Sequence, residues 1–229
     1  MSETKNIVWL ASYPKSGNTW FRIFLTALLN PEEAININKL NKTYHYSDHN
    51  LFELATGLNA SELQEDELNS LKPNIANYIS GIEKNTVFVK IHEAFHRNSE
   101  GKPNIPFQCT KIVLYFIRNP LDIAVSFAHH LNKNVDDVID RMGESSTLAS
   151  LENGSEFFNL PERIGSWSEH VESWLSSGHE VIVIKYEDMH NDPLKNLSKV
   201  IKALGFKYTN SEIYDALEKS SFVKIKDQE

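Results

Sequence analysis

The sequence predicts an α/β fold, a three-layer sandwich in which helices flank a central parallel β-sheet. Two observations predict it. Four short runs, Ile7–Ser12 (IVWLAS), Thr86–Ile91 (TVFVKI), Ile112–Ile117 (IVLYFI) and Glu180–Tyr186 (EVIVIKY), are almost continuously apolar and rich in β-branched and aromatic residues. Strands with one wet face alternate; continuous runs mark strands covered on both faces, as in a parallel sheet between helix layers. Between these runs apolar residues recur at helical spacing, and strands that alternate with helices build a parallel sheet through crossovers. A chain of 229 residues is long enough for one large core, and residues 1–229 read as a single domain without repeats.

In chain order, the first run leads into a turn, Ser12–Gly17, and then a helix from about Asn18, with Trp20, Ile23, Phe24, Ala27 and Leu28 on one face. "SELQ" at 61–64 reads as a capping box. Asn119-Pro120 and Asp192-Pro193 each read as an N-cap followed by proline at the first helical position. Ile164, Trp167, Val171, Trp174 and Leu175 mark a further helix. Leu194, Leu197, Val200, Ile201 and Leu204 mark another, stopped by Gly205, and a last one runs from about Ser211 to Lys219. Residues 132–154 have the weakest pattern. They fit a helix plus a loop over a site, or a solvated insertion.

Composition narrows the function. The net charge of −8 argues against a general nucleic-acid binder, which needs a basic surface. The single cysteine, Cys109, allows no intrachain disulfide and fits a reducing compartment. It reads as an ordinary half-buried residue. The N-terminal stretch has no long apolar run, so neither a secretory signal nor a membrane span is expected, and the reading is cytoplasmic. No His, Cys, Asp or Glu spacing suggests a metal site. Nothing in the pattern speaks to oligomeric state.

Two strand ends carry chemistry. "SYPKSGNTW" (12–20) places Lys15, Ser16, Gly17, Asn18 and Thr19 between a buried strand and a helix start. Ligands of parallel sheets bind at the carboxyl ends of strands, and helix N-termini offer open N–H groups to anions. Gly17 lets the backbone approach a phosphate, Lys15 adds a full charge, and the polar side chains add donors. This is not a Walker A sequence, because the lysine precedes the glycine. Turn-forming residues around an exposed lysine are the plain alternative. "YFIRNPLDIAVSF" (115–127) repeats the design: Arg118 ends a strand, and Ser126 follows about two helical turns on.

Taken together, "YPKSGNTW" and, about a hundred residues later, "IRNPLDIAVSF" resemble the paired signatures of the cytosolic-type sulfotransferases, a family with a P-loop NTPase-like fold. "VKIHEAF" (89–95), "IKYEDM" (184–189) and "KSSF" (219–222) resemble further landmarks, so the resemblance spans nearly the whole chain. It implies transfer of a sulfonyl group from 3′-phosphoadenosine-5′-phosphosulfate (PAPS) to a hydroxyl or amine of a small-molecule acceptor, releasing adenosine 3′,5′-bisphosphate (PAP), without a metal. It implies that Lys15, with Ser16, Gly17, Asn18 and Thr19, binds the 5′-phosphosulfate end and that Arg118 and Ser126 bind the 3′-phosphate. Trp20, Tyr186, Phe222 and Ser220 or Ser221 would border the adenine. Trp20 also fits a core aromatic, and Tyr186 a buried strand residue.

His92, at the presumed carboxyl end of a buried strand, is the expected general base among nine histidines. Lys90, two residues earlier, shares its strand face and would help hold the sulfonate; an exposed lysine at a strand end is the alternative. His129 and His130, adjacent on a helix, cannot share one face. Segments around 44–52, 94–107, 129–154 and 157–158 would line an acceptor pocket suited to an apolar molecule bearing a hydroxyl. The family also carries an Arg-Lys-Gly segment near its C-terminus, which this chain, ending "SSFVKIKDQE", is expected to lack. Two rival readings follow: a non-catalytic or truncated sulfotransferase-like nucleotide-binding domain, and a P-loop small-molecule kinase, which should show a Walker A lysine and a magnesium-binding acid.

Overall fold

The computed structural model describes residues 5–36, 40, 43–146, 148–149 and 159–221. Its centre is a five-stranded, all-parallel sheet. The strands are β1 (Ile7–Ser12), β2 (Thr43–His45), β3 (Val87–Ile91), β4 (Thr110–Ile117) and, after the short antiparallel pair β5 (Leu148–Ala149) and β6 (Glu162–Arg163), β7 (Val181–Lys185). The order across the sheet is β2-β3-β1-β4-β7. All four apolar runs form strands as expected. The edge strand β2 was not foreseen: its three residues carry no apolar run, and pairing with β3 defines it.

Both faces of the sheet are covered, which is why the strand sequences are continuous. Ile7, Trp9 and Ala11 of β1, with Val87, Val89, Ile91, Val113 and Tyr115, pack against α2 (His49–Thr56), α3 (Glu65–Leu71), α4 (Pro73–Ile82) and α7 (Trp167–Leu175) through Phe52, Leu68, Ile75, Ile79 and Trp174. Val8, Leu10, Phe88, Leu114 and Phe116 face α1 (Asn18–Leu29), α9 (Pro193–Ala203) and α10 (Asn210–Lys219) through Phe21, Phe24, Leu25, Leu197, Ile201 and Ile213. A smaller cluster joins Tyr13 to α5 (Pro120–Leu131), α6 (Val135–Gly143) and Ile164. Trp9, with no exposed surface, satisfies its indole N–H on Thr110 Oγ1 at 2.9 Å.

Local signals held where a polar side chain could close a helix start. Asn119 caps α5 through Leu121 N–H, and Asp192 caps α9 through Lys195 N–H, each with proline next in the chain. The expected box at Ser61 did not form. Asn59 reaches Ser61 N–H instead and starts a short 3₁₀ turn, Ala60–Glu62, and the capping box belongs to Gln64 and Glu67 at the head of α3. Ile164 lies ahead of α7, whose box is Ser166 with Glu169, and the last helix starts at Asn210 with Thr209 as cap. Tyr186 is not a strand residue: it opens α8 (Tyr186–Asn191), whose first turn holds Glu187 and Asp188. The helical reading of 132–154 holds for α6, whereas 150–154 lie outside the described residues. Cys109 is fully rather than half buried, and burial pushes its thiol up to about 12.

No helix among the described residues is long and apolar enough to cross a membrane.

Candidate functional site

A parallel sheet points all its strand ends the same way. The carboxyl ends of β1, β3, β4 and β7 therefore deliver Ser12, His92, Arg118 and Tyr186 to one edge. The chain passes from β1 leftward to β2 and β3, then across to β4 and β7, so the edge of β1 is where strand order reverses and a crevice opens.

The turn after β1 is a cradle made of backbone. Lys15 has φ +66° and Gly17 has φ +97°, both left-handed. A lysine held there costs about 1–2 kcal/mol, a local strain that recurs at functional turns. Ser16 between them does not share the positive φ, and backbone that alternates hand in this way turns successive N–H groups toward one concavity, a nest for an anion. The first helical bond of α1 runs from Phe21 N–H to the Gly17 carbonyl (3.1 Å), so the amides of Gly17, Asn18 and Thr19 lie ahead of it at the positive end of the helix. The side-chain hydroxyl of Ser16 is buried without a hydrogen-bond partner, as is Arg118 Nε. Buried orphan donors at a nest are what an absent anionic ligand would satisfy. The Asn18 amide group contributes differently from the expectation. Its Nδ2 donates to the Leu10 carbonyl (2.8 Å) and to Ser12 Oγ (3.2 Å), so it locks the turn to β1, and what it offers the cradle is its backbone. Thr19 is exposed at the helix start.

Arg118 and Tyr186 close the other side. Arg118 Nη1 donates to the Lys15 carbonyl (3.1 Å), and its guanidinium lies 4.3 Å over the Tyr186 ring centroid. Trp20 meets the same ring edge-on at 6.3 Å. Tyr186 is pressed so near the cradle that a Cβ on Gly17 would lie 2.6 Å from its Cδ2. Glu187, one residue later, accepts from Asn119 N–H at 2.9 Å and ties the start of α5 to α8. Lys15, Ser16, Gly17, Trp20, Arg118 and Tyr186 thus form one constellation. Ser126 is half-buried two turns into α5. Ser221 follows α10, whose Lys219 ammonium donates to the Pro31 carbonyl beyond the far end of α1, and no contact among the described residues ties Ser221 to the cradle. Phe222 lies outside the described residues.

His92 stands beside this cradle with its tautomer fixed. Nδ1 donates to the Ser12 carbonyl at 2.8 Å, since a carbonyl can only accept, with Ser12 Oγ at 3.2 Å. The remaining nitrogen, Nε2, then carries a lone pair. Burial, then the Lys90 ammonium, push the imidazole well below its ordinary 6.5, so it is neutral at neutral pH, with Nε2 unprotonated. The backbone around it is pinned from three directions. His92 N–H donates to Glu162 Oε1 (2.8 Å), His170 Nε2 donates to the His92 carbonyl (2.9 Å), and the Trp174 indole donates to the Glu93 carbonyl (3.1 Å). His170, fully buried, receives the Tyr115 hydroxyl proton on Nδ1 at 2.8 Å. Burial holds it down at about 4, with the His92 carbonyl opposing. Glu93 is locked in a buried ion pair with Lys72 at 2.9 Å. These supporting residues escaped the sequence reading because nothing local marks them; the crossovers bring them together.

Lys90 shares a sheet face with His92, and burial pushes its ammonium down. Of the adjacent histidines, both exposed near the end of α5, His130 is lowered by burial, then by the charges of Lys15 and His129. Among the described residues no group of three or more His, Cys, Asp or Glu could hold a metal ion.

Comparisons with known proteins identify the family and the fold. The chain is 28% identical over 232 residues to luciferin sulfotransferase of Photinus pyralis, covering 95% of this chain and 56% of that protein. It is 25% identical over 231 residues to flavonol 3-sulfotransferase of Flaveria bidentis, covering 96% and 65%. The chain thus spans about 56–65% of the length of these curated relatives. Among solved structures, retinol dehydratase in complex with androsterone and PAP superposes with a TM-score of 0.60 at 21% identity, covering 98% of this chain and 67% of that one. A mouse sulfotransferase complexed with PAP gives 0.58 at 20%, covering 97% and 67%. These two likenesses establish the fold. The family described as Sulfotransferase domain matches residues 5–229, and the chain belongs to that family.

Proposed function

We propose that residues 1–229 act as one sulfotransferase domain that moves a sulfonyl group from PAPS to a hydroxyl, or amine, of a small-molecule acceptor and releases PAP. One observation carries the reading: a histidine with its tautomer fixed, Nε2 open, stands beside an anion nest at the same sheet edge. The orphan donors of Ser16 and Arg118 fit phosphate oxygens, and the Trp20–Tyr186 pair fits a flat base.

Each residue then has a task. Lys15 and the amides at the head of α1 hold the 5′-phosphate and take up the charge that grows on its bridging oxygen as the S–O bond breaks. Arg118, with Ser126, holds the 3′-phosphate. His92 Nε2 accepts the proton of the acceptor as its oxygen or nitrogen bonds to sulfur, and the Ser12 carbonyl steadies the imidazolium that forms. Small-molecule names among the relatives, a flavonol and a luciferin, support an acceptor of that class. The absence of disulfide-forming cysteine pairs supports a cytoplasmic setting.

Calorimetric titration with PAP tests the reading. Lys15→Ala and Arg118→Ala should each weaken binding about 10- to 100-fold, the weight of one or two charge-assisted bonds. His92→Ala should leave PAP binding within about twofold and lower turnover with PAPS by about 100-fold or more. Failure of the folded parent to bind PAP would end the enzyme assignment.

A further inference from the structure

The hydrogen-bond ladder of the sheet stops just short of the base. Pairing of β1 with β3 closes at Ala11 and Ile91, and β2 reaches only as far as Lys90. Peptide groups two residues apart on a strand face the same neighbour. The Lys90 carbonyl accepts from Tyr46 N–H at 2.9 Å, so the backbone of His92 points to the same side, past the end of β2. It finds no strand partner there among the described residues, and buried N–H and C=O groups must be paired somewhere. Two side chains take over from the ladder. Glu162 Oε1, on β6, accepts His92 N–H at 2.8 Å, and His170 Nε2, on α7, donates to the His92 carbonyl at 2.9 Å.

Both side chains are themselves held. Glu162 is 6% exposed and His170 has no exposed surface. The chain on either side of Glu162 is fixed: the Pro161 carbonyl accepts from the Lys72 ammonium and the Arg163 carbonyl from Ala94 N–H, each at 2.8 Å. The Tyr115 hydroxyl donates to His170 Nδ1 at 2.8 Å, which leaves the His170 proton on Nε2, where the His92 carbonyl needs it. The Tyr13 ring meets His170 edge-on at 5.4 Å. β4, β6 and α7 thus converge on the backbone of one residue. The His92 ring depends on that grip, because its Nδ1 reaches the Ser12 carbonyl at 2.8 Å. A backbone shift of about 1 Å would carry that bond out of range, leave the tautomer unfixed and move Nε2 off its line.

We propose that Glu162 and His170 are positioning residues of the base: they clamp the two backbone groups of His92, so that Nδ1 stays on the Ser12 carbonyl and Nε2 stays open to the acceptor. The effect on turnover rests on the sulfotransferase reading above, and the first readout does not. NMR of the full chain with isotope-labelled histidine reports the tautomer of each ring, with His92 assigned by loss of its signal in His92→Gln. The parent should show His92 as the Nδ1–H form. Glu162→Ala and His170→Phe should turn it into a mixture of tautomers. Glu162→Gln, whose amide oxygen still accepts the His92 N–H, should recover most of the parent signal. If a deletion unfolds the chain, Tyr115→Phe keeps the test open, since it removes only the hydroxyl that orients His170 and should shift the His92 signal the same way by less. The second readout is transfer from PAPS to p-nitrophenol. Glu162→Ala should lower kcat about tenfold or more and Tyr115→Phe about threefold, with KM for PAPS and affinity for PAP within about twofold. A parent whose His92 is not the Nδ1–H form overturns the proposal. So do folded Glu162→Ala and Tyr115→Phe that keep the parent tautomer and kcat, because the contacts then only satisfy buried polar groups. A parent that neither binds PAP nor turns over fails the sulfotransferase reading alone, and the tautomer measurement then decides the clamp.

Discussion

Gly17 shows how one residue can serve two constraints at once. Its φ of +97° lies where side chains are strained, and a Cβ would overlap Tyr186 Cδ2 at 2.6 Å. Gly17→Ala is therefore expected to destabilise the fold by about 1–3 kcal/mol and to push the Tyr186 ring off Arg118. Urea unfolding reads the first effect. A loss of PAP affinity of about tenfold, by calorimetry, reads the second, and unchanged affinity would show that the ring is not part of the cradle. At this scale the sequence was most legible where a residue acts through its own turn. Lys15, Ser16 and Gly17 announce a strand–turn–helix, and His92 a strand end. Glu162 and His170 gave no such signal, because each acts across a gap that only the crossovers close.

Among the elements, the segment after β3 depends on a pair of charges from a distant helix boundary. Lys72, between α3 and α4, and Glu93 are each 1% exposed, and Lys72 Nζ also donates to the Pro161 carbonyl at 2.8 Å. Burial pushes the Glu93 carboxyl up, but Lys72 and His96 outweigh it and hold it at about 2. Removing one partner strands the other, so Lys72→Met should cost about 3–5 kcal/mol in urea unfolding. Lys72→Met with Glu93→Gln should recover a large part of that loss; an additive double variant would refute the pairing. The strands were legible because double-sided burial writes itself as an unbroken apolar run. The three-residue β2 could not be, being short, polar at two positions and defined by its neighbour. The strand at Tyr186 was read one residue too long, since "EVIVIKY" stays apolar and aromatic through the boundary; Glu187 and Asp188 in the following first turn were the available sign of a helix.

For the molecule as a whole, the buried His170 and the half-buried His45 and His92 set the response to acid. His170 titrates at about 4 and His45 at about 3 in the fold, against 6.5 ordinarily, and His92 also lies well below 6.5. The unfolded chain therefore binds more protons between these values, and stability is expected to hold steady from pH 8 to 6.5 and to fall below that. His170, with no exposed surface, contributes about 3 kcal/mol of the loss by pH 4. Glu93 adds a second decline between 4.5 and about 2. Urea midpoints at pH 8, 6.5, 5 and 4 check this, with His170→Gln expected to flatten the first step; a midpoint unchanged down to pH 4 would contradict it. The sheet order carries a consequence for how such a chain reaches its native state. β1 forms the middle of the sheet from the first residues of the chain, yet its partners begin at Val87 and Thr110. A large conformational search must close before either pairing is rewarded, a separation of the kind that slows folding. During synthesis the nascent β1 waits as an unpaired apolar segment until β3 and β4 have emerged, an interval in which a holding chaperone would have its binding target.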